Sequence, residues 1–287
     1  MKLHLFAFPL NLVKSYIDIV LIRALLLLSI LSVNIKGYCQ TVDTLIDVGK
    51  YKLHFHVIKG IGTPIIFESG AGNDGTIWKD LLPLLKKRTE APLVTYDRAG
   101  FGKSGIDSTD LNITSEIRTL NDALKKLGYS DTYFLVAHSL GGNYAMKFIS
   151  DNRKKVLGAV FIDIVSPYFM TKERAKYTKD LFTDSLEAIK KESIGFYHLV
   201  LNYENTSEVM RQVSTDISIS LTIIGSDRPP FEGTDRTDFI QSLKKFAEDK
   251  DNRKYVFAEN CGHYIFLDSP SFVINEIVSQ YKAVSKE

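Results

Sequence analysis

Phe134-Leu135-Val136-Ala137-His138-Ser139-Leu140-Gly141-Gly142 runs an apolar stretch of strand type into a serine set among small residues, and the helix-compatible stretch 143–149 follows at once. A strand turns directly into a helix only if the corner residue accepts strained dihedrals and its neighbours lack bulk. Ala137 and Gly141 meet that need, with Ala137 standing where the strict Gly-x-Ser-x-Gly pattern has its first glycine. The pattern predicts that the Ser139 hydroxyl stands at a helix N-terminus, where backbone N–H groups and the helix dipole favour a developing negative charge.

Working outward, the chain alternates short apolar strands with helical segments, which predicts an α/β fold. Stretches 44–48 and 51–58 flank Gly49 and Lys50, and the second alternates apolar and polar residues, as an antiparallel N-terminal hairpin does. Continuous apolar runs at 65–67, 93–96, 133–137, 157–162, 219–224 and 255–258 predict strands covered on both faces. The central sheet should therefore be mostly parallel, with helices on both faces. Ile113, Ile117, Leu120, Leu124 and Leu127 recur at helical spacing before Gly128, and Ser269-Pro270 opens a final helix with Val273, Ile274, Ile277, Val278 and Tyr281 on its buried stripe. Between Ser166 and Ser218 the rhythm breaks into charged, amphipathic sequence rich in aromatics, and a helical cap insertion at about 166–218 is expected.

A length of 287 residues, 45% hydrophobic and 24% charged, suits one large domain at 40–287. The net charge of +2 gives no electrostatic case for nucleic acid. Cys39 and Cys261 are the only cysteines and no zinc-type spacing appears, so no metal is expected. Residues 1–39 combine Lys2, Lys14 and Arg23 with an apolar core and small residues before Gln40. This reads as a signal peptide and predicts an exported chain. The alternatives are an uncleaved membrane segment, which alone would bring membrane contact, and, ranked last, a lipid anchor on Cys39.

A serine hydroxyl needs a base, and of six histidines His263, in Asn260-Cys261-Gly262-His263-Tyr264, follows the last strand at the same sheet edge as Ser139. His138 is expected to point away from the corner. The histidine in turn needs an acid, and both Asp163 and Asp227 leave strands at the correct edge. An oxyanion hole requires the amide of Leu140, after the serine, and one from the loop Ser69-Gly70-Ala71-Gly72, for which Ala71 is the choice. That loop lacks the order of a nucleotide cradle, and no cofactor is expected.

Together with Trp78, the run Tyr96-Asp97-Arg98-Ala99-Gly100-Phe101-Gly102-Lys103-Ser104 and the segment Gly262-His263-Tyr264 with Asp268 and Pro270, these motifs resemble the α/β-hydrolase superfamily from about Leu45 to Val284. In that resemblance Asp97 and Arg98 hold a turn. Many members carry the acid three residues beyond a glycine after the penultimate strand, a place held here by Arg228. Phe161-Ile162-Asp163 resembles members that take the acid from the strand before the cap, so Asp163 is preferred and Asp227 is the alternative. The resemblance implies a serine hydrolase acting on a small-molecule acyl substrate, an ester first, with amidase, peptidase, thioesterase or carbon–carbon bond hydrolase chemistry as alternatives. A non-catalytic ligand-binding protein is the alternative from another class. The sequence does not specify an oligomeric state.

Overall fold

Eight strands form one sheet in the order β1-β2-β4-β3-β5-β6-β7-β8 in the computed structural model, which describes residues 40–285. The expected N-terminal signal or membrane segment, 1–39, lies outside the described residues. β1 (Thr41–Asp47) and β2 (Lys52–Ile58) make the antiparallel hairpin, and β2 also runs antiparallel to β4 (Leu93–Tyr96). From β4 through β3 (Ile65–Glu68), β5 (Tyr133–His138), β6 (Val156–Ile162), β7 (Ser220–Arg228) and β8 (Arg253–Gly262) every pairing is parallel. The mostly parallel sheet with its antiparallel hairpin is the architecture that the apolar runs predict.

Burial follows the side-chain alternation of a sheet covered on both faces. Along β5, Tyr133, Leu135 and Ala137 enter one apolar core while Phe134 and Val136 enter the other. Helices α2 (Ile113–Lys126) and α3 (Gly141–Asp151) contribute to the first core, and α1 (Leu81–Lys86) lies in the second. Asn112 caps α2 in a reciprocal capping box with Ser115, and Gly128, at φ +87°, stops the chain just past it.

The interval between β6 and β7 contains four α-helices, a short 3-10 turn (Thr183–Ser185) and no strand: α4 (Lys172–Asp180), α5 (Leu186–Glu192), α6 (Ile194–Leu201) and α7 (Tyr203–Ser214). α8 (Gly233–Glu248) follows β7, and after β8 come the short α9 (Ile265–Asp268) and α10 (Pro270–Val284), whose expected apolar stripe is buried. Among the described residues no helix is long and apolar enough to cross a membrane.

At one close approach the four-helix segment meets the sheet domain through two glycines. A Cβ on Gly195, in the first turn of α6, would lie 2.6 Å from the Phe101 ring and 2.7 Å from the Gly100 carbonyl oxygen. Only hydrogen fits between these backbones. Gly195→Val is expected to cost about 1–3 kcal/mol through overpacking. Thermal melting of the variant beside wild type is the measurement.

Candidate functional site

β5 ends at His138, and Ser139 takes φ +53°, a left-handed conformation that a serine adopts only under constraint. The corner is fixed by bonds on both sides: Ser139 N–H donates to the Ile162 carbonyl at 3.1 Å, and its own carbonyl accepts from Gly142 at 3.0 Å and Val165 at 3.2 Å. The small residues beyond it are a steric requirement. A Cβ on Gly141 would stand 2.6 Å from the Ser69 carbonyl oxygen, and one on Gly142 would stand 2.7 Å from the Ile164 Cβ. Ala137 keeps its methyl because that position faces the apolar core, where it is fully buried.

The structure brings Ser139, His263 and Asp163 into one hydrogen-bonded line: His263 Nε2 lies 2.9 Å from Ser139 Oγ, and His263 Nδ1 lies 2.7 Å from Asp163 Oδ2. Asp163 is fully buried, sits at φ +47°, and also accepts from the Ser226 amide and hydroxyl, each at 2.9 Å. Three donors, two from Ser226 and one from His263, thus converge on its carboxylate. Because a carboxylate only accepts, Nδ1 of His263 carries the proton, and Nε2 is left to accept from the Ser139 hydroxyl.

Asp227, the alternative acid, is elsewhere. β7 continues beyond the apolar run at 219–224 and pairs Arg228 with Gly262, so Asp227 belongs to the tail of a strand and not to a free loop. Its Oδ2 accepts from the Asn260 amide at 2.9 Å, holding Asn260 at φ +58° as the chain bends toward His263. The ladder pairing directs this carboxylate to the backbone before the histidine.

The amides of Leu140 and Ala71 donate to no protein acceptor among the described residues. Gly70 brings the loop against Ser139: a Cβ there would stand 3.1 Å from the Ser139 Cβ. The loop is tied from beneath by Trp78, whose Nε1 donates to Ser69 Oγ at 3.1 Å.

Two residues take parts that the sequence reading does not assign. His138, expected to point away from the corner, instead packs its ring 4.5 Å from that of His263 and donates from Nε2 to the His263 carbonyl at 3.0 Å. Burial first, and then the neighbouring His263, hold the His138 imidazole well below the usual histidine value, so it stays neutral. Arg98 keeps its expected place in the turn, where its carbonyl accepts from the Phe101 N–H at 3.0 Å, and takes a further part. Asp97 does hold its turn, accepting from Gly75 at 2.9 Å and Lys103 at 2.8 Å. The Arg98 side chain leaves the turn, pairs with Glu68 at 2.8 Å and donates to the carbonyls of Ser69 at 2.5 Å and Gly70 at 2.7 Å. A serine or glycine motif signals neither role, since both depend on which strands neighbour each other.

Around Arg98 lies a buried polar cluster in which Tyr96 donates to Glu68 at 2.5 Å and Tyr144 to Glu116 at 3.0 Å. Burial raises the Glu116 carboxyl to about 7, with Arg98 opposing the rise. In the unfolded chain it titrates near 4.5, so between these values the native state binds a proton that the unfolded state lacks. Stability from this group is therefore lost as pH climbs from about 4.5 to 7, by about 1–2 kcal/mol after allowance for partial solvent screening. Glu116→Gln is expected to flatten that slope in urea midpoints measured from pH 5 to 8.

Residues 65–276 match the model of the alpha/beta hydrolase family. Among curated relatives, the chain is 29% identical over 154 residues to the uncharacterized protein YqjL of Bacillus subtilis, covering 49% of this chain and 60% of that one. It is 25% identical over 118 residues to a soluble epoxide hydrolase of Corynebacterium, covering 41% of this chain and 40% of the relative. The matched segments thus span less than two thirds of either relative's length. Among solved structures, an esterase from Exiguobacterium antarcticum superposes with TM-score 0.64 at 17% identity, over 83% of this chain and 98% of that one. A bromoperoxidase from Bacillus anthracis gives TM-score 0.65 at 18% identity, over 84% and 100%. At such identities the likeness is one of fold.

Proposed function

Because this chain belongs to the alpha/beta hydrolase family, we propose that it is a serine hydrolase acting on carboxylic esters of small molecules through an acyl-enzyme intermediate. The observation that supports this reading above all others is the unbroken line Asp163 Oδ2 to His263 Nδ1 at 2.7 Å and His263 Nε2 to Ser139 Oγ at 2.9 Å. An ester carbonyl seated on Ser139 is attacked by Oγ as the hydroxyl proton passes to His263 Nε2. The amides of Leu140 and Ala71, free of protein acceptors, take the tetrahedral oxyanion. Collapse expels the alcohol, which leaves with the proton from Nε2. Water then adds to the acyl carbon, giving a proton to Nε2, and the second collapse returns that proton to Ser139 as the carboxylic acid departs. Asp163 stabilises the transient imidazolium while remaining a carboxylate throughout.

All the groups this cycle needs are side chains and amides of the protein, so the proposal invokes no cofactor or metal. The four helices between β6 and β7 are assigned the part of a cap that selects the acyl group, and export by way of residues 1–39 is part of the same proposal. A panel of p-nitrophenyl acetate, butyrate and octanoate beside the matching anilides and thioesters tests the reading. Ester turnover should exceed anilide turnover at every acyl length, and the reverse order would replace the esterase reading with an amidase one.

A further inference from the structure

The amide chosen for the oxyanion hole is the N–H half of a peptide whose C=O half is gripped by a buried arginine. Gly70 contributes the carbonyl and Ala71 the amide, and Arg98 Nη2 donates to that carbonyl at 2.7 Å while Nη1 donates to the preceding one, of Ser69, at 2.5 Å. In a trans peptide the C=O and N–H bonds point in opposite directions, and the described backbone contains no cis bonds. Drawing the Gly70 oxygen down onto the guanidinium therefore turns the Ala71 N–H to the other side of the loop. We infer that Arg98 is a positioning residue for the proposed hydrolysis, fixing the Ala71 amide toward the oxyanion through the Ser69 and Gly70 carbonyls.

Several observations favour this role over a purely structural one. The fork spans two successive carbonyls of the oxyanion loop, and Nη1 also donates to Glu68 Oε1 at 2.8 Å, a set of bonds that the guanidinium makes and a lysine ammonium does not. The guanidinium is 3% exposed, and its Nε is buried without a partner. A buried charge with one N–H unpaired is a poor device for stability, since apolar side chains of the same volume commonly do as well. Burial works against its charge, but the surrounding groups, Glu68 first among them, together outweigh it, so the group stays protonated and the clamp stays closed. The rings of Tyr144 and Phe101 lie 4.8 Å and 5.3 Å from the guanidinium carbon and keep water from it. On the far side of the loop, Gly70 has no side chain to hold it off Ser139.

The inference rests on the ester-hydrolase reading, and its test separates the two. Arg98→Met and Arg98→Lys are compared with wild type for kcat and KM on p-nitrophenyl butyrate and for inhibition by a trifluoromethyl ketone, which forms an oxyanionic adduct on an active serine. Removing the clamp should lower kcat by about 10²- to 10³-fold, as loss of one oxyanion donor does. KM should stay within about threefold, and ketone binding should weaken in step with kcat, because only interactions made in the transition state are lost. Arg98→Lys, which can reach one carbonyl and not both, should fall between. Equal kcat in a folded Arg98→Lys, or ketone affinity unchanged while kcat falls, would overturn the inference. If Arg98→Met does not fold, Arg98→Lys decides alone. If wild type hydrolyses no ester, the function reading fails, and the crystal structure of Arg98→Lys decides: an unturned Gly70–Ala71 peptide contradicts the clamp, a rotated one upholds it.

Discussion

Ser139→Ala is expected to lower turnover of p-nitrophenyl butyrate by about 10⁴- to 10⁶-fold, the range in which loss of a triad serine falls. KM and the melting temperature should stay near wild type. The reasoning is local. Among the described residues the hydroxyl makes a single side-chain hydrogen bond, to His263 Nε2 at 2.9 Å, while the corner is held by backbone bonds that alanine keeps. Alanine bears the φ of +53° no worse than serine, so the variant loses the nucleophile and little else. Steady-state rates on protein freed of wild-type contamination, with melting curves alongside, make the measurement. A variant retaining a tenth of the activity would remove Ser139 from the chemistry.

Asp163→Asn should cost about 10⁴-fold in kcat, the loss that accompanies a wrong histidine tautomer. Asparagine fills the same volume, accepts the left-handed φ of +47°, and can still accept from Ser226. Its NH2 would then face His263 Nδ1, obliging that nitrogen to accept and placing the ring proton on Nε2, where Ser139 needs an acceptor. Asp227→Asn should stay within about threefold of wild type, because the amide oxygen can still take the Asn260 N–H at 2.9 Å. The two variants form a matched pair, identical in chemistry and opposite in expected effect. Comparable losses in both would contradict the assignment of the acid.

What could be read from the residues, and what could not, divides along sequence distance. Strand order aside, the sheet was legible because runs such as Phe134 to Ala137 are apolar at every position, as strands covered on both faces are. The elbow was legible because its requirement is local: Gly141 and Gly142 have no room for a Cβ. Between Asp163 and Asp227, which both follow apolar runs at the same edge, only the resemblance favoured Asp163, and the residues alone left both open. The choice turns on the added ladder pairing of Arg228 with Gly262, which gives Asp227 a backbone partner. The further part of Arg98 and the direction of the His138 ring were illegible for the same reason. The neighbours of β3 are β4 and β5, which bring Arg98 and His138 beside the loop that follows Glu68, and sequence spacing carries no trace of that adjacency.

Reaction of the chain with a fluorophosphonate, followed by digestion and mass spectrometry of the adduct, tests the central claim most directly, because only a serine whose proton has a waiting base reacts quickly. The account predicts one adduct, on Ser139, absent from Ser139→Ala and formed far more slowly in His263→Ala and Asp163→Asn. Labelling that persists on another residue in Ser139→Ala, or a wild-type chain that takes up no label, would contradict it.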